Sequence, residues 1–224
     1  MEDIQKKIKE IKETIENKVN QMDQKYRFGP SIYFYERVYS IRKNSKNITL
    51  FLNEEKNIEY LYSTLLAWDM NSRGAKMKYF TEFKKSIIDN IKTFKNIENV
   101  STNLLNVQLS TINEYLGNLY KNLDIMYTNS KLVSTSKLLH FLFPDLIMPM
   151  DRTNTLEYFY NNSGESLTRF LEIFEFSHKM ANENIEWNKY LDKCKWNTTI
   201  PKIIDNAIIL KMDISTKKKA QIIA

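Results

Sequence analysis

The chain has 224 residues, 42% hydrophobic and 27% charged, with a formal net charge of +6, enough length for one large domain and its core. Its 4 glycines and 4 prolines are too few for the turns of a β-sandwich or the loops of an α/β fold, which points to an all-α fold, a single multi-helix domain over 1-224. A lone cysteine, Cys194, excludes an intrachain disulfide and a cysteine-based zinc site, and no apolar run reaches the ~20 residues of a membrane span.

Residues 2–24 place Ile4, Ile8, Ile11, Ile15, Val19 and Met22 at spacings of four or three, a narrow apolar stripe on a charged helix. Such a stripe packs on one neighbouring helix or forms a short coiled coil with a second copy, so a homodimer through residues 2-24 is one expectation. Met1 to Glu16 is charged throughout and unlike a secretory leader, which suggests a soluble, cytoplasmic protein. Gly29-Pro30 ends this helix and starts the next, since proline suits a first helical position.

Residues 31–42 form an aromatic helix with Ile32, Tyr35, Val38 and Tyr39 on one side. After a polar loop at 43–47 and a short apolar segment at 48–52, a helix of about residues 55–69 turns Ile58, Leu61, Tyr62, Leu65 and Leu66 inward. That helix runs into Trp68, Asp69, Asn71, Arg73, Gly74 and Lys76, a dense group of polar and aromatic residues. Gly74 suits a tight turn with positive φ. Residues 78–96, 101–120 and 121–130 are expected as further helices. Residues 31–100 hold 12 Lys/Arg against 8 Asp/Glu, a basic surplus that permits contact with a polyanion and equally fits solvated helix faces.

From Lys131 a helix is predicted that buries Leu138, Leu139, Phe141 and Leu142 and turns Ser136, Lys137 and His140 to another side. Pro144 stops it, Met148-Pro149-Met150 is held extended, and Asp151 falls where a helix N-cap belongs, able to accept from Thr153 or Asn154. An acid there serves as a cap, or as a general base or a stabiliser of developing positive charge. A short helix at 151–162 and a longer one at 165–182 follow, then a tail with Trp187, Tyr190, Leu191 and Trp196, and a last helix after Pro201. No phosphate-binding glycine loop, paired-histidine spacing or serine elbow occurs, so no metal or cofactor is implied.

Two stretches resemble a family of uncharacterised prokaryotic helical proteins: Leu61 to Ala75, including Leu65-Leu66-Ala67-Trp68-Asp69-Met70-Asn71-Ser72-Arg73-Gly74-Ala75, and Ser136 to Asp151. That family usually has Gly where this chain has Asp69. Pro149-Met150-Asp151 is also similar to the catalytic turn of the helix-hairpin-helix DNA glycosylases, with Val133 to Lys137 standing for the end of the hairpin. The resemblance implies a glycosylase-like helical scaffold with Asp151 catalytic, although residues 128–137 hold no glycine and Thr135 stands where some of those enzymes carry a lysine. The expected function is nucleic-acid (DNA) binding, with Trp68, Asn71, Arg73, Lys76, Lys137 and His140 facing one groove. The alternatives are a non-catalytic helical interaction module, dimeric through residues 2–24, and a small-molecule or nucleotide enzyme using Asp69 and Asp151.

Overall fold

The computed structural model describes residues 2–25, 29–72 and 74–223. The helices in chain order are α1 (Glu2–Lys18), α2 (Met22–Lys25), α3 (Pro30–Asn44), α4 (Ile48–Asn53), α5 (Glu55–Ala67), α6 (Phe80–Asp89) and α7 (Ile91–Val100). There follow α8 (Leu109–Asn122), α9 (Lys131–Leu142), α10 (Glu157–Tyr160), α11 (Leu167–Ala181) and α12 (Ile200–Ile223). Among the described residues the only extended pairing is a single antiparallel bridge between Met77 and Met126. The all-α expectation holds.

The apolar spacing of each helix decides what it buries. In α1, Ile8, Ile11, Ile15 and the following Val19 are at most 4% exposed and pack against α12 of the same chain. Of the two expected uses of the stripe, packing on a neighbouring helix is the one seen, and Ile4 alone of its members stays exposed. Pro30 opens α3 at a first helical position, and Asn47 caps α4 by accepting from Leu50 N at 2.9 Å.

The middle of the chain departs from expectation in two places. Asn90 interrupts the predicted helix of 78–96 and separates α6 from α7, its side chain donating to Ser86 O at 2.9 Å. Residues 123–130 do not continue as a helix. Ile125 O accepts from Lys78 N and Tyr127 N donates to Lys76 O, so this segment runs alongside residues 76–78.

Helix α9 is the centre of the molecule. It touches α3, α5, α8 and α11, and all its residues except Lys131 and Lys137 are buried. Three structural groups hold its ends. Glu165 accepts from Leu132 N at 2.7 Å at the start of the helix. At its other end buried Arg42 donates to Leu142 O at 2.8 Å and pairs with Glu98 at 2.6 Å. Pro144 then prevents continuation. A helix with no solvent face has no polar side to offer, and this decides the fate of His140 below.

Candidate functional site

A cleft of about 650 Å³ opens beside α9. One wall is the turn after α5, with Trp68, Asp69, Met70, Ser72 and Ala75. Lys137 of α9 with Met150 and Asp151 also line the cleft, as do Arg152 to Asn154 together with Trp196, Lys202, Asp205 and Asp213. The two stretches singled out in the sequence thus meet in one cleft although more than sixty residues separate them.

The turn after α5 is set by backbone geometry. Trp68 closes the helix, its N–H donating to Thr64 O and Leu65 O, while its indole N–H donates to Ser31 O at 3.1 Å. Lys137 Nζ donates to Trp68 O at 2.8 Å, placing a cation at the negative end of α5. Asp69 follows at φ 62°, in the left-handed region that glycine adopts without strain. Asp69→Gly keeps this backbone and Asp69→Val does not, while both remove the carboxylate. The valine variant should melt lower than the glycine one by a difference of about 1–2 kcal/mol, measured by thermal unfolding. Asn71 Oδ1 accepts from Met77 N at 3.1 Å, and Gly74 has φ 90°. Together they turn the chain back.

Asp151 is the expected N-cap. Its Oδ1 accepts from Asn154 N at 2.6 Å and its Oδ2 from Asn154 Nδ2 at 2.9 Å, while its own N–H donates to Thr155 Oγ1 at 3.1 Å. The turn it caps, Arg152–Leu156, is wider than an α-turn: Leu156 N reaches back five residues to Asp151 O. Such π-turns recur where a side chain must be re-aimed at a site. Asp151 remains half-buried on the cleft wall.

The other expected site residues are placed less uniformly. His140 is not on a binding face: it is fully buried, and Nδ1 lies 2.7 Å from Ile147 O, which can only accept, so Nδ1 carries the proton. Nε2 must then accept from the Tyr35 hydroxyl at 3.1 Å, and Thr198 donates to Tyr35 in turn. Burial pushes the His140 imidazole down to about 3, so it is neutral at pH 7. Asn71 shapes the turn without lining the cleft, and exposed Lys76 directs its ammonium over the Tyr127 ring, 6.0 Å from the centroid. Arg73 lies outside the described residues.

Sequence reasoning missed Lys202, Asp205 and Trp196. Lys202 Nζ bonds Asp205 Oδ2 at 2.6 Å and Asn206 Oδ1 at 2.7 Å, and lies 5.5 Å and 5.2 Å from the ring centroids of Trp68 and Trp196. Burial raises the Asp205 carboxyl, Lys202 opposes that, and the charges of Asp151 and Lys137 are also felt there. Two acids and two lysines therefore form one electrostatic group. The signal was present: Lys202, Asp205 and Asn206 share one face of a helix whose neighbours are Ile203, Ile204, Ala207 and Ile208.

Among the described residues no cluster of three or more metal-ligating side chains occurs, and no helix is long and apolar enough to cross a membrane. No family model, curated protein or solved structure matches the chain.

Proposed function

We propose that the cleft receives a single base presented by a nucleic acid, with Asp151 as the group that acts on it. The observation that carries this is the convergence of Trp68, Lys137 and Asp151, from two distant stretches, on one cleft of about 650 Å³, a volume typical of small-ligand sites. The net charge of +6 favours approach to a polyanion. Among the described residues of the cleft the balance is different: Asp69, Asp151, Asp205 and Asp213 face Lys137, Arg152 and Lys202, four acids to three bases. Phosphates are therefore best held outside, and the interior suits the edge of a base. Met70 and Met150 give it an adaptable apolar lining. There Asp151 activates water or stabilises positive charge as it develops.

Titration with single-stranded DNA or RNA, followed by the fluorescence of Trp68 and Trp196, tests the reading. Saturable quenching is expected, with the logarithm of the affinity falling linearly against the logarithm of salt. No quenching, or a binding strength indifferent to salt, overturns nucleic-acid recognition. The acid surplus favours one second reading, a free nucleoside or similar small substrate acted on by Asp69 and Asp151. Quenching by nucleosides but not by oligomers selects it.

Asp151 has to be tested without confusing its cap with its chemistry. Asp151→Asn keeps an acceptor for Asn154 N and should change stability by only a few tenths of a kcal/mol, whereas Asp151→Ala should cost about 1 kcal/mol. Any activity on a bound nucleic acid should fall at least about a hundredfold in the Asn variant. Retained activity there removes Asp151 from the chemistry.

A further inference from the structure

The buried ion pair on α12 has a feature that folding does not require. Asp205 is 4% exposed and Lys202 2%, yet both border the cleft. Lys202 is fully engaged, by Asp205 Oδ2, by Asn206 Oδ1 and by the faces of two tryptophans. Asp205 is not. Its only described hydrogen bond is the one Oδ2 accepts from Lys202, so Oδ1 is left to the cleft that Asp205 lines.

The surroundings say what kind of group that oxygen suits. Lys202 holds Oδ2 in place, so Oδ1 has a fixed position on the cleft wall. Asp151 and Lys137 lie close enough for their charges to act on it. An anionic or acceptor group on a ligand would be repelled by Asp205 and Asp151 together. A neutral N–H donor would not. Buried ion pairs are commonly replaceable by apolar residues of similar size without loss of stability, so stability alone does not account for a pair placed at a cleft.

We infer that Asp205 is the specificity-determining acceptor of the cleft, bonding the exocyclic amino group of a base such as adenine, with Lys202 as the positioning residue that holds it. This rests on the proposed reception of a base and adds which edge is read. The contact is a hydrogen bond to a charged acceptor in a water-poor wall, the kind of contact whose loss is most strongly felt.

Two single-stranded oligomers separate the possibilities: one of deoxyadenosine, and one of the same length carrying unsubstituted purine, which has the same rings and backbone but no amino group. The wild-type protein should bind the adenine oligomer at least about tenfold more tightly. In the double variant Lys202→Met/Asp205→Leu, whose retained fold is checked by circular dichroism and its melting transition, the preference should shrink to within about twofold. Equal affinities in the wild type overturn the inference and leave base reception standing. A preference that survives in the double variant places the acceptor elsewhere and also overturns it. If neither oligomer binds, the inference falls together with the reading on which it rests.

Discussion

Lys202→Met alone should destabilise the protein by about 3–5 kcal/mol, whereas Lys202→Met combined with Asp205→Leu should recover most of that loss or all of it. The reason lies in what each change strands. The side chains of Lys202 and Asp205 are only 3% and 6% exposed. Removing the lysine leaves a carboxylate in a wall from which water is largely excluded, with Asp151 repelling it and Lys137 compensating in part. Removing both leaves two apolar side chains beside Trp68, Trp196 and Ile209, surfaces they can pack against. Urea unfolding of the wild type, both single variants and the double variant gives the coupling energy directly. If the double variant is as unstable as the sum of the two single ones, the pair is not coupled and the argument from its burial fails. The single variant should also respond to acid in a particular direction. Without Lys202 the Asp205 carboxyl is raised further above its unfolded value, so its protonated form stabilises the fold. That stability is present at low pH and is lost as pH rises through the folded value, so Lys202→Met should regain part of its deficit on mild acidification.

How much of this was legible in the sequence differs from element to element, for physical reasons. The shortage of glycine and proline and the stripe of α1 report local conformation and one-sided burial, which sequence spacing records directly. The stop at Pro144 and the cap at Asp151 were equally visible, because both are covalent or nearest-neighbour effects. The break at Asn90 was not, because Phe83, Ile87, Ile91, Phe94 and Ile97 keep a helical rhythm across it. Residues 123–130 were misread because their partner is the turn at 76–78, and no local pattern records a contact that distant. His140 was misplaced for the opposite reason. Ser136, Lys137 and His140 look like the polar side of a helix, but α9 is surrounded, so only Lys137 reaches the cleft. Lys202 and Asp205 drew no attention in the sequence for the same reason. Reading them as buried needs the knowledge that both sides of α12 are covered, and that belongs to the fold.

His140 gives the second large effect, and it is read in the pH dependence of stability. In the unfolded chain this histidine protonates near pH 6.5, but in the fold its value is pushed down to about 3, because burial disfavours the cation. A group whose folded value is depressed contributes stability that is present above the unfolded value and is lost as pH falls towards the folded one. Below pH 6.5 the fold should therefore lose up to about 1.4 kcal/mol per pH unit through this residue alone, approaching 5 kcal/mol in total near pH 3. Other carboxylates titrate in part of that range, so the test is a comparison. His140→Leu cannot titrate, but it leaves Ile147 O without its donor, a cost of about 1–3 kcal/mol at pH 7. Tyr35 keeps its bond with Thr198, which limits further damage. The variant should accordingly be the less stable protein at pH 7, and the gap should close as pH falls until the two proteins match at about pH 5. Urea midpoints at pH 7, 6 and 5 give the gap at each step. A constant gap would mean that His140 accepts a proton in the folded state as readily as in the unfolded one. In that case the hydrogen-bond chain from Ile147 through His140 and Tyr35 to Thr198 would not hold the imidazole neutral as its geometry describes.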